Sequence, residues 1–222
     1  MIIILETIVG TTLWTTSVQK NVNVIQHYDT VMSLYVITGG PSCGKSTVIN
    51  GLQKKGYAVN NELARILIED KQKQGINTYN LNNDPTLLLA FELELYERQL
   101  SVDEAALASG RTYFGDRASP DIPAYCKHHL GKIPHEIDLF RLPRYDGIFI
   151  LDMLPFENDG VRLEKSLEEG LKIHESILKT YHMLGYQPIN VPVASSKKTA
   201  LTERVDFVLR IIQEHKHERS VA

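Results

Sequence analysis

One stretch of nine residues constrains the fold of this chain more than any other feature. It follows the apolar run 33–38 directly and has the spacing Gly, four residues, Gly-Lys-Ser. The run before it predicts a strand and the residues after it predict a helix, which is the setting that a phosphate-binding loop requires. This setting argues against a chance match in a Gly-rich turn. The nine residues are Gly39, Gly40, Pro41, Ser42, Cys43, Gly44, Lys45, Ser46 and Thr47.

The residue types in this loop match the demands of a bound polyphosphate. Several backbone N–H groups must point at the anion, and Gly39, Gly40 and Gly44 allow the unusual φ angles that this needs. Lys45 would place a positive charge on the β- and γ-phosphates, and Ser46 would offer a hydroxyl to Mg²⁺. The following helix directs its positive dipole end at the same anion. The sequence therefore predicts a site for a nucleoside triphosphate.

Composition and charge exclude several classes of protein. A chain of 222 residues with 43% hydrophobic and 23% charged residues is typical of one globular domain, with room for an additional terminal segment. Its net charge of −3 provides no basic field for nucleic acid, so we expect no nucleic-acid partner. The two cysteines, Cys43 and Cys126, form neither a disulfide framework nor a zinc pattern, which favours a cytoplasmic protein.

The amino-terminal residues show no recognisable chemistry. Their apolar start is broken by Glu6 and is too short to cross a bilayer, and it lacks the features of a signal peptide. Met32 stands immediately before the strand that leads into the phosphate loop. We therefore expect residues 1–31 to be an extension of unknown role and residues 32–222 to form the nucleotide-binding domain.

Strand and helix patterns alternate along the rest of the chain. The predicted strands are residues 33–38, 57–59, 112–115, 145–151 and 186–193. The predicted helices are residues 47–55, 63–74, 85–108, 123–129, 136–139, 163–184 and 201–217. Such alternation is typical of an α/β protein whose parallel sheet is covered by helices on both faces.

Two carboxylates follow predicted strands and are candidates for catalysis. Glu62 comes after the second strand and Asp116 ends the third. Ligands of open α/β sheets bind at this carboxyl edge. We expect Asp116 to bind Mg²⁺ or its waters and Glu62 to be the general base for an acceptor hydroxyl. The alternative is structural, since Asp116 could cap a helix and Glu62 could simply favour a helix start.

Five motifs together resemble a known family. Besides the phosphate loop they are Asn61–Arg65, Asp116–Tyr125, Glu157–Arg162 and Glu203–Phe207. These pieces resemble the P-loop ATPases similar to the ribosylnicotinamide kinase domain of NadR, a branch of the nucleoside-kinase-like fold. The phosphate loop alone is specific for nucleotide binding, and Asp116–Tyr125 together with Glu157–Arg162 points to this family.

The resemblance implies a three-layer fold and adds two arginines to the site. The sheet would have five parallel strands in the order 2-3-1-4-5, with helices on both faces and a lid between the fourth strand and its helix. Asp116 would serve Mg²⁺ or act as base. Arg117 would contact phosphate or acceptor, and Arg162 would close over the transferring phosphoryl group.

Three functions remain open at this point. The first is an ATP-dependent kinase for a small molecule of nucleoside type, or a nucleoside triphosphatase, with Mg²⁺ as cofactor and an unidentified acceptor. The second is a nucleotide-dependent switch or sensor that binds a protein or lipid partner and hydrolyses slowly. The third, a binding module without catalysis, is disfavoured by the presence of Lys45, Ser46 and Asp116. The guanine-binding pattern Asn-Lys-x-Asp does not occur, so ATP is the expected nucleotide.

A shortened chain tests the expected division. A protein that starts at Met32 should fold and bind ATP with little change, because no site chemistry precedes this residue. Solubility and the thermal shift produced by ATP measure both properties. A shortened chain that is insoluble or does not bind ATP would show that the first 31 residues complete the core.

Overall fold

The computed structural model describes residues 33–78, 81–154, 166–196 and 199–221. Within these ranges strands alternate with helices, as the sequence predicts. The elements are β1 (Ser33–Thr38), α1 (Lys45–Lys54), β2 (Ala58–Asn60), α2 (Leu63–Lys73), α3 (Pro85–Ala108), β3 (Thr112–Asp116), α4 (Asp121–Leu130), β4 (Gly147–Leu151), α5 (Leu167–Met183), β5 (Ile189–Val191) and α6 (Ala200–Val221). Single turns of 3₁₀ helix lie at Leu81–Asn83 and Leu139–Arg141.

The strands form one parallel sheet in the order β2-β3-β1-β4-β5. The parallel sheet and the strand order implied by the resemblance are therefore confirmed, and the lid falls in residues 155–165, outside the described residues. All six residues of the central strand β1 are buried, as expected for a parallel strand covered on both faces. The register places Ile37 beside Asp116 and Thr38 beside Ile150. The phosphate loop, which leaves β1 directly after Thr38, thus begins at the edge where β3 and β4 also end.

The side chains of β1 alternate between the two helical layers. Tyr35 and Ile37 pack in a core cluster with residues of α1 and α6. Leu34 and Val36 pack in a second cluster with residues of α5. This period of two is the normal consequence of the β pleat. A third cluster joins α2, α3 and α4, and it forms the apolar side of the pocket described below.

Asp103 of α3 is a buried carboxylate with many hydrogen-bond partners. It accepts from the Ser119 backbone N–H at 2.8 Å and from the Ser119 hydroxyl at 2.6 Å. It also accepts from the Tyr145 hydroxyl at 2.7 Å and from the Gln99 amide at 3.0 Å. These bonds tie α3 to the turn before α4 and to the segment before β4, so they fix the helix beside the sheet.

The prediction of a helix over residues 136–139 was wrong. The chain there forms only the 3₁₀ turn Leu139–Arg141, which begins where the Asp138 side chain accepts from the Phe140 N–H at 2.9 Å. The turn ends at Leu142, whose backbone is extended because Pro143 disfavours helical backbone at the residue before it. The last strand is also shorter than the sequence pattern suggests, because only Ile189–Val191 pairs with β4.

Two further properties bear on the expectations from composition. Cys43 and Cys126 are buried free thiols. In the described part of the chain, no helix has both the length and the apolar character that crossing a bilayer requires.

Candidate functional site

The turn between β1 and α1 presents a helix start to a ligand. Gly44 is the N-cap residue with φ of 84°, and Lys45 begins the helix. In the described structure no side chain caps α1, and its first turn contains no acidic residue. The N–H groups at this end and the positive end of the helix dipole are therefore available to an anion.

Close packing explains two of the glycines in the loop. A Cβ on Gly39 would lie 2.9 Å from the Leu151 carbonyl oxygen, and the residue has φ of 135°. A Cβ on Gly40 would lie 2.6 Å from Met153 Sδ and 2.8 Å from the Gly170 carbonyl oxygen. A side chain at either position would force the loop away from β4 and α5.

Lys45 lies across the loop with its ammonium group buried. Only 6% of the residue is exposed. Its Nζ donates to the carbonyl oxygens of Gly39 at 3.2 Å and Gly40 at 2.8 Å. These neutral acceptors hold a charged donor inside the loop, where a phosphate oxygen would be a stronger partner.

Two residues distant in sequence support the loop from behind. Arg204 of α6 is 4% exposed and donates to the carbonyl oxygens of Cys43, of Asp152 at 3.1 Å and of Pro192 at 3.0 Å. His174 of α5 accepts the Gly40 N–H through Nδ1 at 3.2 Å. Burial lowers the pKa of His174, which favours the neutral ring that this acceptor role requires.

Ser46 and Asp116 form an oxygen-rich pair beside the loop. The Ser46 hydroxyl donates to Asp116 Oδ2 at 2.9 Å, while Asp116 Oδ1 is buried without a hydrogen-bond partner among the described residues. Burial raises the pKa of Asp116 to about 6, against the opposing charge of Lys45, and the Glu62 charge adds to the increase. Carboxylate and hydroxyl oxygens are ligands that Mg²⁺ accepts, so this pair fits the cation that the sequence predicts.

Glu62 and Arg117 form an ion pair at the entrance to the loop. Arg117 Nε donates to Glu62 Oε1 at 3.0 Å, and Arg117 NH1 donates to the Gly39 carbonyl oxygen at 3.3 Å. Burial by itself would raise the pKa of Glu62, but the charges of Arg117 and Lys45 outweigh it and lower the pKa to about 2. Its low pKa keeps Glu62 ionised, and in the described structure its side chain does not cap α2, so the carboxylate remains directed at Arg117.

The backbone and side chain of Arg117 are held in an unusual position. Its φ is 69°, in the left-handed region that a non-glycine residue adopts at a cost of about 1 kcal/mol or more. The N–H donates to the Ile37 carbonyl oxygen at 3.0 Å, which anchors this conformation to β1. The guanidinium lies 5.0 Å from the centre of the Tyr125 ring and 3.4 Å from Asp121 Oδ1. The strained backbone thus aims the side chain at the loop.

Asp121 orders this part of the site, and its importance was missed in the sequence. It accepts from the Tyr181 hydroxyl at 2.7 Å, from the Ala118 N–H at 3.1 Å and from the Thr38 hydroxyl. The only signal for it is its place in the motif Asp116–Tyr125. A pattern at that spacing also suits a helix cap, so sequence reasoning did not distinguish the two roles.

A pocket of about 240 Å³ opens beside the phosphate loop. The loop, Glu62 and Arg117 provide a charged part of its lining. The part formed by α2, α3 and α4 is mainly apolar and includes Phe91, Leu95 and Ile122. The site therefore has a charged region for phosphate and an adjoining apolar region that a second molecule could occupy.

The structure brings Glu62, Asp116, Arg117 and the phosphate loop to one edge of the sheet. Arg162 and its motif lie in residues 155–165, outside the described residues, as do residues 1–31. The role predicted for Arg162 therefore stays a prediction.

Comparisons with known proteins agree with this architecture. A family described as AAA domain matches residues 34–199. Deoxyadenosine kinase from M. mycoides, solved with dCMP and dCDP, has a TM-score of 0.56 and 14% identity over 82% of this chain and 98% of its own. NadR solved in complex with NR has a TM-score of 0.55 and 17% identity over 82% of this chain.

A third solved structure, thymidylate kinase from Ehrlichia chaffeensis, has a TM-score of 0.51 and 13% identity over 82% of this chain and 98% of its own. This chain spans half the length of the NadR chain. At these identities the likeness shows the fold, which is that of NadR and of nucleoside and nucleotide kinases. A comparison with curated protein sequences finds no match.

The raised pKa of Asp116 predicts that the folded protein becomes less stable as the pH rises. The folded pKa of about 6 lies above the ordinary value of 3.8, so the stability contributed by the protonated group is lost as pH rises through about 6. Asp116→Asn cannot ionise and should stabilise the nucleotide-free protein at pH 7.5 by up to about 3 kcal/mol relative to wild type. Thermal melts at pH 4.5 and 7.5 measure this difference.

The advantage of the Asn variant should shrink at pH 4.5, where Asp116 is protonated in the wild type as well. Asp70→Asn is the matched control, because it changes only an exposed ion pair with Lys73. An Asp116→Asn variant that is less stable than wild type at both pH values would contradict the prediction.

Proposed function

The chain belongs to the AAA domain family, whose match covers residues 34–199, and we propose from the geometry of its site that it is an ATP-dependent kinase for a small molecule of nucleoside type. The proposal rests on one observation. The Glu62–Arg117 ion pair and the phosphate loop line the same pocket, which has room for a second molecule beside the loop. Hydrolysis alone requires no pocket for a second organic molecule. A kinase requires one, with a carboxylate at the junction to receive the acceptor hydroxyl.

ATP and Mg²⁺ are the proposed partners of the phosphate loop. The loop N–H groups and Lys45 would hold the β- and γ-phosphates, and Ser46 and Asp116 would hold the cation. When bound, Mg²⁺ would neutralise negative charge on the phosphate oxygens. Since the guanine-binding pattern Asn-Lys-x-Asp is absent from the sequence, ATP is proposed over GTP.

Glu62 and Arg117 would position the acceptor for in-line attack. The acceptor oxygen bonds to the γ-phosphorus as the bond to ADP breaks, and the hydroxyl proton passes to Glu62. A carboxylate whose pKa is about 2 is a weak base, so its main contribution is to orient the hydroxyl and take the proton late in a loose transition state. Arg117 holds Glu62 ionised and offsets charge near the transferred group.

The fold neighbours support an acceptor with nucleoside character. The three compared structures are a deoxyadenosine kinase, a thymidylate kinase and NadR bound to NR. The apolar end of the pocket suits the heterocycle of such a molecule, and the charged end suits its hydroxyl. Arg162 would close over the transferring phosphoryl group, as predicted from the resemblance.

Lys45→Ala tests the nucleotide site. Ligand at about a hundred times its dissociation constant adds roughly 2.7 kcal/mol to the stability of the protein that binds it. For a domain of this size that corresponds to a rise in Tm of roughly 5 to 10 °C. Wild type with Mg-ATP should show this rise and Lys45→Ala should lose most of it, measured by thermal melts with and without ligand.

The matched control is Lys55→Ala, which changes a lysine at the far end of the same helix. Lys55 forms an exposed ion pair with Asp206 at 3.1 Å, and such pairs contribute little. Its Mg-ATP shift should equal that of the wild type. Equal shifts in Lys45→Ala and wild type would reject Lys45 as the phosphate ligand.

Glu62→Gln separates orientation of the acceptor from binding of the nucleotide. Gln keeps the size of the side chain but accepts no proton, so turnover should fall by about 10²- to 10⁴-fold while affinity for Mg-ATP stays near wild type. Asp116→Asn should slow turnover and also weaken Mg-ATP binding or shift its dependence on Mg²⁺ concentration. Titrations of nucleotide binding with Mg²⁺ measure this effect. If Glu62→Gln weakens metal-dependent binding and Asp116→Asn does not, the two roles are reversed.

A further inference from the structure

Glu92 is a buried acid that the proposed mechanism does not use. It lies on α3, lines the pocket and is 4% exposed. Its Oε2 atom finds no hydrogen-bond partner within the part of the chain that the structure describes. Buried polar atoms in folded proteins are almost always satisfied, so this oxygen requires an explanation.

The second buried acid of the same helix shows the contrast. Asp103 accepts hydrogen bonds from Ser119, Tyr145 and Gln99. Burial raises the pKa of Asp103 as well, but these hydrogen bonds oppose that effect, and Glu92 Oε2 has no such bond in the described structure. Glu92 is not among the hydrogen-bond partners of Asp103 and lines the pocket instead, so without a ligand partner its burial is destabilising.

The chemistry of Glu92 at neutral pH follows from its surroundings. Burial raises the pKa of Glu92 to about 8, against the opposing charge of Arg117. At pH 7 the side chain is therefore mainly a neutral carboxylic acid. In that form it offers one O–H donor beside one carbonyl acceptor.

The walls around Glu92 favour a flat, uncharged ligand group. Phe91, Leu95 and Ile122 provide apolar contacts, and the Tyr125 ring stacks near Arg117 at the border with the phosphate loop. Glu62 and Lys45 line the same cavity as Glu92, and the charge of Arg117 acts on Glu92. One cavity therefore offers apolar walls for a planar group and charged groups for a hydroxyl.

We propose that Glu92 determines acceptor specificity by hydrogen-bonding the neutral edge of a planar group in which an N–H donor lies beside an acceptor atom. An amino-heterocycle and a primary carboxamide both carry such an edge. This inference rests on the proposed function and names the substrate class of its acceptor site. Filling the site satisfies Glu92 Oε2, and an analogue without the N–H leaves the acid without that partner.

Matched pairs of ribosides test this assignment in the full-length protein. Adenosine is compared with purine riboside, which lacks the amino group, and cytidine with its 4-deamino analogue 2-pyrimidinone riboside. Nicotinamide riboside is compared with nicotinic acid riboside, whose carboxylate lacks the N–H. For each, kcat/KM for phosphoryl transfer from radiolabelled ATP and the dissociation constant are measured.

Wild type should prefer the amide- or amine-bearing member of at least one pair by about 10- to 100-fold, the usual effect of leaving a buried polar group without its partner. Glu92→Leu should reduce that ratio to about 1, while Glu92→Gln, which keeps a neutral donor and acceptor, should preserve most of it. An unchanged ratio in Glu92→Leu would overturn the assignment. If Glu92→Gln also loses the preference within the pair, a neutral donor and acceptor at this position does not explain it, and the assignment of a neutral edge would be wrong.

Thermal stability provides a second measurement that does not depend on turnover. Without ligand, Glu92→Leu should raise Tm by about 2 to 6 °C, because it removes a buried acid that lacks compensation. Asp103→Asn, the control on the same helix, should lower Tm because it disrupts a satisfied network. A fall in Tm for Glu92→Leu would show that Glu92 stabilises the fold and would overturn the proposal.

The two proposals fail in different ways. If wild type and Lys45→Ala show the same Mg-ATP shift, the nucleotide site is wrong. If the Mg-ATP shift depends on Lys45 but none of the six ribosides binds, the nucleotide site stands and the assignment of Glu92 is overturned.

Discussion

A buried guanidinium joins the two regions of the site. Arg117 contacts the Gly39 carbonyl oxygen of the phosphate loop, Glu62 and Asp121. Its side chain is 11% exposed, so these contacts act with little screening by water. Removing one member of such a buried group leaves the others uncompensated, which costs far more than losing a surface ion pair. The left-handed backbone of Arg117 is tolerated because it delivers the charge to this point.

The phosphate loop depends on elements that follow it at long distance in the chain. Arg204 of α6 holds the Cys43 carbonyl oxygen, and His174 of α5 holds the Gly40 N–H. Both contacts bind backbone groups of the loop, so other parts of the fold fix its shape. Such preorganisation allows the N–H groups to stabilise charge without being rearranged at the moment of reaction.

The site also contains groups that lower the stability of the free protein. Asp116 and Glu92 each have a buried oxygen with no hydrogen-bond partner in the described structure, and burial raises the pKa of both. Asp116 accepts a hydrogen bond from Ser46 beside the phosphate loop, and Glu92 lines the adjoining pocket. Unsatisfied polar groups of this kind are expected where a ligand completes the hydrogen bonding, because stability and function make opposite demands there.

The sequence by itself determined the phosphate loop, the alternation of strands and helices, and the positions of Glu62 and Asp116 after the second and third strands. These features are local, since glycine spacing, apolar periodicity and strand ends are read within a few residues. The order of the strands came from the resemblance to a family and is confirmed by the sheet. Only the tertiary structure decided that Arg117 pairs with Glu62, that Arg204 and His174 support the loop, and that Glu92 faces the pocket. The partners in these contacts lie 55 to 161 residues apart in the chain, or depend on how three helices pack, and no short-range pattern records such distances.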